Sequence, residues 1–174
     1  MVTDEVQAGL GRTGYLNAFE HDLAKHGLKP DVITVGKSLS GGMTPSSGIF
    51  ADADLMNTFS IGNHGSTFGG NPLSMAIVRA AMEVTRDEGL VENSRDMGER
   101  MRAGLSQITS PLLREIRGRG LMNAIEVERN SHVNGDDLCD IFRHYGLLTK
   151  STKEFSVRFT PALVITADEV DEVV

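Results

Sequence analysis

The chain has 174 residues, 40% of them hydrophobic and 24% charged, with a formal net charge of −7. That length suits one domain or two small ones, and the composition is that of an ordinary globular sequence. The acidic balance argues against nucleic acid as the main partner, and no apolar run is long enough to span a bilayer. The single Cys139 rules out an internal disulfide framework, and five scattered histidines without a Cys-x-x-Cys give no metal-site spacing.

Residues 2–6 read as a strand that ends in Asp4 and Glu5. Gly9-Leu10-Gly11-Arg12-Thr13-Gly14 follows, a literal G-x-G-x-x-G. A dinucleotide-binding turn needs a second strand ending in an acid, whereas Asp31 precedes its strand. Two acids at the first strand end would also repel a pyrophosphate, so this segment reads as a flexible loop. Residues 15–27 have helical spacing, with Leu16, Phe19 and Leu23 on one side and Gly27 as a stop.

Lys29-Pro30-Asp31 is a turn into Val32-Ile33-Thr34-Val35, a strand that hands Gly36-Lys37 to a Gly/Ser loop. Residues 49–51 are a short strand and 52–56 a short helix. In His64-Gly65-Ser66-Thr67-Phe68-Gly69-Gly70-Asn71-Pro72, Asn71 is a good N-cap and Pro72 a good first helical residue. The helix runs to about Asp87, with Leu73, Ile77, Ala80, Ala81 and Val84 expected to face a core. A second helix covers 90–108, with Met97, Met101 and Leu105 as its stripe.

Past Pro111 the pattern changes. Arg117-Gly118-Arg119-Gly120 leads into a strand at 121–127, residues 136–145 form a helix, and 147–149 and 157–159 are short strands. Thr166-Ala167-Asp168-Glu169 is a capping box opening a helix too short to persist without packing. The chain therefore divides between residues 90 and 110. Residues 1–90 alternate strand and helix as an α/β layer, and 91–174 form a small α+β unit. Both ends look cut through elements, as expected of a piece of a longer protein.

Lys37 stands out because lysine is depleted from strands, and a lysine among apolar neighbours has its pKa pushed down toward a nucleophilic amine. Its bland alternative is a solvated lysine past a strand end. Asp4 ends a strand expected to be buried, Ser66 and Thr67 precede a helix N-terminus suited to phosphate, and Arg158 sits inside an apolar strand where a charge needs an anionic partner. Each also has a plain reading: a strand cap, loop hydroxyls, a structural ion pair. Taken together they fit pyridoxal phosphate chemistry. A lysine holds the aldehyde, a carboxylate pairs with the ring nitrogen, hydroxyls take the phosphate, and an arginine fork takes a substrate carboxylate.

The segments Asp4-Glu5-Val6-Gln7-Ala8-Gly9, Gly36-Lys37-Ser38-Leu39-Ser40-Gly41-Gly42 and His64 to Pro72 resemble the class III (subgroup II) aminotransferases. Arg117 to Met122 and Val157-Arg158-Phe159-Thr160-Pro161 resemble that family's C-terminal domain. Leu39 to Gly42 and Leu121 to Glu126 are most similar to its ornithine aminotransferase branch, with acetylornithine and 4-aminobutyrate aminotransferases as near neighbours. The resemblance implies fold type I, with residues 1–90 the second half of the large α/β domain and 91–174 the small C-terminal α+β domain.

It implies pyridoxal 5'-phosphate as cofactor, Lys37 as the Schiff-base lysine, Asp4 on the ring nitrogen and Gln7 on the ring's 3-oxygen. Thr67, with Ser66 beside it, would reach the phosphate of a homodimer partner, and Arg158 would bind the α-carboxylate of an amino acid or 2-oxo acid. The implied reaction passes ornithine's δ-amino group to 2-oxoglutarate, giving glutamate semialdehyde and glutamate. Ala8 stands where the family usually has Thr or Ser. The family's phosphate-cradling loop and ring-stacking aromatic are not found here, so a C-terminal fragment without turnover is a second expectation. The compartment expected from the single cysteine is the cytoplasm, or the mitochondrial matrix if a transit peptide precedes.

Overall fold

The structure is a computed structural model and describes residues 1–129 and 132–174. It divides into two compact units, residues 1–10 with 15–90, and residues 11–14 with 91–174.

The first unit is built on a three-stranded sheet ordered β1 (Val2–Asp4), β2 (Val32–Val35), β3 (Gly48–Ala51). β1 and β2 run parallel and β3 returns antiparallel to β2. After α1 (Ala53–Met56) comes α2 (Pro72–Asp87), whose N-cap Asn71 accepts from the Ser74 N–H at 2.9 Å. The core under the sheet is Leu10, Val35 and Leu39, with Ile33, Val78 and Met82 packed on it.

Two expectations need correction here. α2 buries the Ser74, Val78 and Met82 stripe, while Leu73 and Val84 are exposed. Both stripes satisfy helical spacing, and a sheet of three strands covers only one. Residues 15–27 form two short 3-10 turns, Ala18–His21 and Ala24–His26, in place of a helix. Leu16 is exposed, so this segment lacks the apolar burial that sustains an isolated helix.

The second unit is a four-stranded antiparallel sheet in the order β4 (Leu113–Arg119), β5 (Met122–Val127), β7 (Ser156–Phe159), β6 (Lys150–Lys153). Its helices are α3 (Leu90–Leu105), α4 (Gly135–His144) and α5 (Ala167–Val173). Met101, Leu105, Leu121, Ile125, Val157, Phe159, Ile165 and Val170 form the core. β5 alternates strictly, with Asn123, Ile125 and Val127 buried. α5 is short, yet Val170 is fully buried, which stabilises it by roughly 1.5–3 kcal/mol. Its capping box is reciprocal, the Glu169 N–H reaching Thr166 Oγ1 and the Thr166 N–H reaching Glu169 Oε2.

β4 was not expected as a strand. Arg117 to Arg119 belong to it and pair with β5, where the sequence reads as a lead-in. Arginines and a glycine hide a strand whose outer face is charged. The strand expected at 147–149 begins instead at Lys150, because the C-terminal end of α4 still ties down its start: the Leu147 N–H donates to Phe142 O.

Candidate functional site

Lys37 is placed by a turn. Past β2, Gly36 leads into a 3-10 turn, Lys37–Ser40, closed by Gly41 in the left-handed region. Leu39 and Ser40 point inward and are buried. The Ser40 hydroxyl donates to Thr44 O and accepts from the Thr44 N–H at 3.2 Å. With those two residues anchored, Lys37 and Ser38 face outward and are exposed. Lys37 adopts a φ of 47°, a conformation that costs a residue with a Cβ about 1–2 kcal/mol. Its Nζ donates to Gln7 Oε1 at 3.2 Å. The apolar surroundings expected around this amine are not formed by the described residues.

Asp4 is the last residue of β1 and lies opposite Thr34 of β2. It is exposed, and its Oδ1 accepts from the Val6 N–H at 3.0 Å. The expectation of a buried strand end is wrong at this residue, because among the described residues β1 is an edge strand paired only with β2. The buried acid is its neighbour. Glu5 is 2% exposed, and its two oxygens accept from the Ala18 N–H at 2.6 Å and the Phe19 N–H at 3.0 Å. Glu5 thereby locks the chain as it leaves β1. The sequence signal for it was two adjacent acids at a strand end, of which only one can face outward.

Asp4, Gln7 and Lys37 thus gather at the carboxyl ends of two adjacent parallel strands, the end where open α/β sheets take ligands. On the face of the sheet away from α2, Thr34 and Ile49 stand in register. They line a cavity of about 620 Å³ with Val6, Met56, Phe59 and His64. Ser66 and Thr67 lie in a stretch, residues 61–70, that is exposed throughout. The loop is held by the Gly69 N–H on Ser66 O and by Asn71 Nδ2 on Phe68 O. Asn71 already caps α2, so an anion here would be met by the loop hydroxyls.

Arg158 lies in the second unit, in β7, between β5 and β6. Its neighbours Val157 and Phe159 point into the core, and Arg158 leaves the opposite face, half-buried. Among the described residues its side chain makes no hydrogen bond or ion pair. That separates it from Arg117 on the same sheet, which donates to Glu126 at 3.0 Å and Glu115 at 3.3 Å. Burial works to raise the Glu126 carboxyl, but hydrogen bonds from Arg129 and Arg117 outweigh it and hold it below its ordinary value. Arg117 is a structural ion pair, whereas the Arg158 side chain has no charged partner among the described residues.

The G-x-G-x-x-G segment is held by contacts within the second unit. Residues 11–14 belong to the second unit, where Arg12 O accepts from the Leu121 N–H and from Ser94 Oγ, both at 3.0 Å. The Arg12 guanidinium donates to Leu121 O at 3.1 Å and Pro161 O at 2.5 Å, and burial lowers its pKa. A segment read as flexible is a wedge fixed at both its carbonyl and its side chain.

A model of the family Aminotransferase class-III matches residues 1–174. This chain belongs to that family. Among class-III aminotransferases it is 44% identical over 174 residues to ornithine aminotransferase 1 of Staphylococcus saprophyticus, covering all of this chain and 42% of that protein. The structure of Plasmodium falciparum ornithine delta-aminotransferase superposes with a TM-score of 0.91 at 46% identity, over 98% of this chain and 43% of that one. Acetylornithine aminotransferase from Elizabethkingia anophelis gives a TM-score of 0.91 at 39% identity, over 99% of this chain and 45% of that one. The chain spans about two fifths of the length of these class-III relatives.

Proposed function

We propose that this chain carries the cofactor lysine of a pyridoxal phosphate-dependent ornithine aminotransferase, which passes ornithine's δ-amino group to 2-oxoglutarate. The observation that supports it most is the Lys37 amine, held outward on a strained turn at the carboxyl ends of β1 and β2 with Gln7 at 3.2 Å. In this reading residues 1–90 are half of the large cofactor-binding domain and 91–174 the small domain.

The residues present suit the cofactor. An amine with no acid beside it would meet an aldehyde, the outward carboxylate of Asp4 a ring N–H, and the loop hydroxyls a phosphate. When bound, pyridoxal phosphate supplies a ring that withdraws electrons from the carbon bearing the amino group. Lys37 Nζ is the attachment point. When free, its neutral amine would be the base that takes a proton from the carbon bearing the amino group. The Asp4 carboxylate would accept the ring N–H and favour the protonated ring. Gln7 Oε1 is occupied by Lys37, which leaves its NH₂ to donate to the ring's 3-oxygen. Ser66 and Thr67 would donate to the phosphate held by a homodimer partner. Arg158 binds the α-carboxylate of glutamate or 2-oxoglutarate with its planar fork.

A second reading, acetylornithine aminotransferase, is favoured by the Elizabethkingia likeness. The test is glutamate production from 2-oxoglutarate by the protein that carries this chain, with ornithine, N-acetylornithine or 4-aminobutyrate as donor. Ornithine should lead by at least about tenfold, and Lys37→Ala should abolish turnover. Preference for N-acetylornithine would move the assignment to the second reading, and turnover by Lys37→Ala would end both.

A further inference from the structure

The register of β6 on β7 sets two cations side by side. Lys150 lies directly opposite Arg158, so both side chains leave the same face of the sheet. Across β7, Arg158 faces Ala124 of β5, and Ala124 faces Arg117 of β4. One row therefore reads Arg117, Ala124, Arg158, Lys150. Glu115 and Glu126 neutralise Arg117. Neither the Arg158 nor the Lys150 side chain has a hydrogen bond or ion pair among the described residues. Ala124 is small and supplies no acid between the two arginines.

Like charges directly opposite each other in an antiparallel pair destabilise it. An acid does lie near β6, but it serves another residue: the Ser151 hydroxyl donates to Asp136. Lys150 and Arg158 also line one cavity of about 290 Å³, with Leu147, Thr149, Thr160 and Pro161. The two cations therefore share a face and a cavity, and no acid is paired with either side chain among the described residues.

We propose that Lys150 is a second carboxylate-binding residue, which completes with Arg158 a two-sided grip on one carboxylate of the oxo-acid substrate. The inference rests on the reading of Arg158 given above. The guanidinium fork of Arg158 takes the two oxygens in their plane, and the Lys150 ammonium, a compact point charge on a flexible stem, donates to one of them from the side. β6 is an edge strand, and an edge lysine can serve merely to discourage strand pairing. Lys153, opposite Ser156 on the same edge, is the control for that role.

The test is titration of the protein that carries this chain with 2-oxoglutarate, read by calorimetry, alongside thermal melts without ligand. Lys150→Gln should weaken binding about tenfold while the free protein melts at or above the wild-type temperature, since a like-charge contact is relieved. Lys150→Arg should restore affinity and Lys153→Gln should leave it unchanged. If Lys150→Gln binds as wild type while Arg158→Gln binds weakly, Lys150 has no such role and the reading of Arg158 stands. If both variants bind as wild type, or the wild type binds no 2-oxoglutarate, both readings fall. Equal weakening by Lys153→Gln would reduce Lys150 to general edge charge and overturn its assignment.

Discussion

Lys37 should be less stable than the glycine that could replace it. Its φ of 47° lies in the left-handed region, where a Cβ costs about 1–2 kcal/mol. Lys37→Ala keeps the Cβ and therefore the strain, whereas Lys37→Gly removes it. Both variants lose the same exposed hydrogen bond to Gln7, so that loss cancels between them. Glycine's greater freedom in the unfolded chain takes back roughly 0.5–1 kcal/mol. Lys37→Gly should therefore exceed Lys37→Ala by about 1 kcal/mol. With a urea slope of roughly 1–3 kcal/mol/M, the midpoints should differ by about 0.3–1 M at unchanged slope. Neither variant should form a borohydride-stable adduct at this position. If the glycine variant unfolds at the same urea concentration as the alanine variant, or earlier, the turn is not strained and the reasoning fails.

Glu5→Gln should cost about 1–2 kcal/mol in urea unfolding, because each carboxylate oxygen holds one part-buried N–H and the amide NH₂ cannot accept the second; a loss below about 0.5 kcal/mol would show that the acid does not fix the segment after β1. Gly98→Ala should lower the melting temperature of the second unit and cost at least about 2 kcal/mol, since a Cβ there would stand 1.8 Å from Gly120 O. Asp171 carries its own pH signature. The Arg100 guanidinium holds its carboxyl below the ordinary range, so its contribution is complete above the unfolded pKa near 4 and fades as pH falls through the folded value. Asp171→Asn should be less stable than wild type at pH 7, and the gap should close in acid-unfolding curves below about pH 4.

Much of the frame was legible because it is written locally. Asn71-Pro72 and Thr166-Ala167-Asp168-Glu169 mark helix starts by the side chains that cap them, and both helices begin there. Lys37 was legible as an anomaly at a strand end. What sequence did not disclose depends on partners far along the chain. Arg12 reads as part of a glycine loop until Leu121 and Pro161 arrive to accept its donors. Asp4 and Glu5 are interchangeable in a string, and only the N–H groups of Ala18 and Phe19 decide which turns inward. The two apolar stripes of α2 have equal periodicity, and the sheet chooses between them. Arg158 was legible as a charge in need of a partner, but its lack of one on this sheet is a fact of three dimensions.

The claim that Lys37 is the cofactor lysine is tested most directly by competition among the chain's own amines. The chain is incubated with pyridoxal phosphate, reduced with borohydride and digested, and the modified peptides are quantified by mass spectrometry. The account predicts that the label concentrates on Lys37, ahead of Lys25, Lys29, Lys150 and Lys153, and that Asp4→Asn diminishes it there. A label spread evenly over all five lysines, or absent from Lys37, would contradict it.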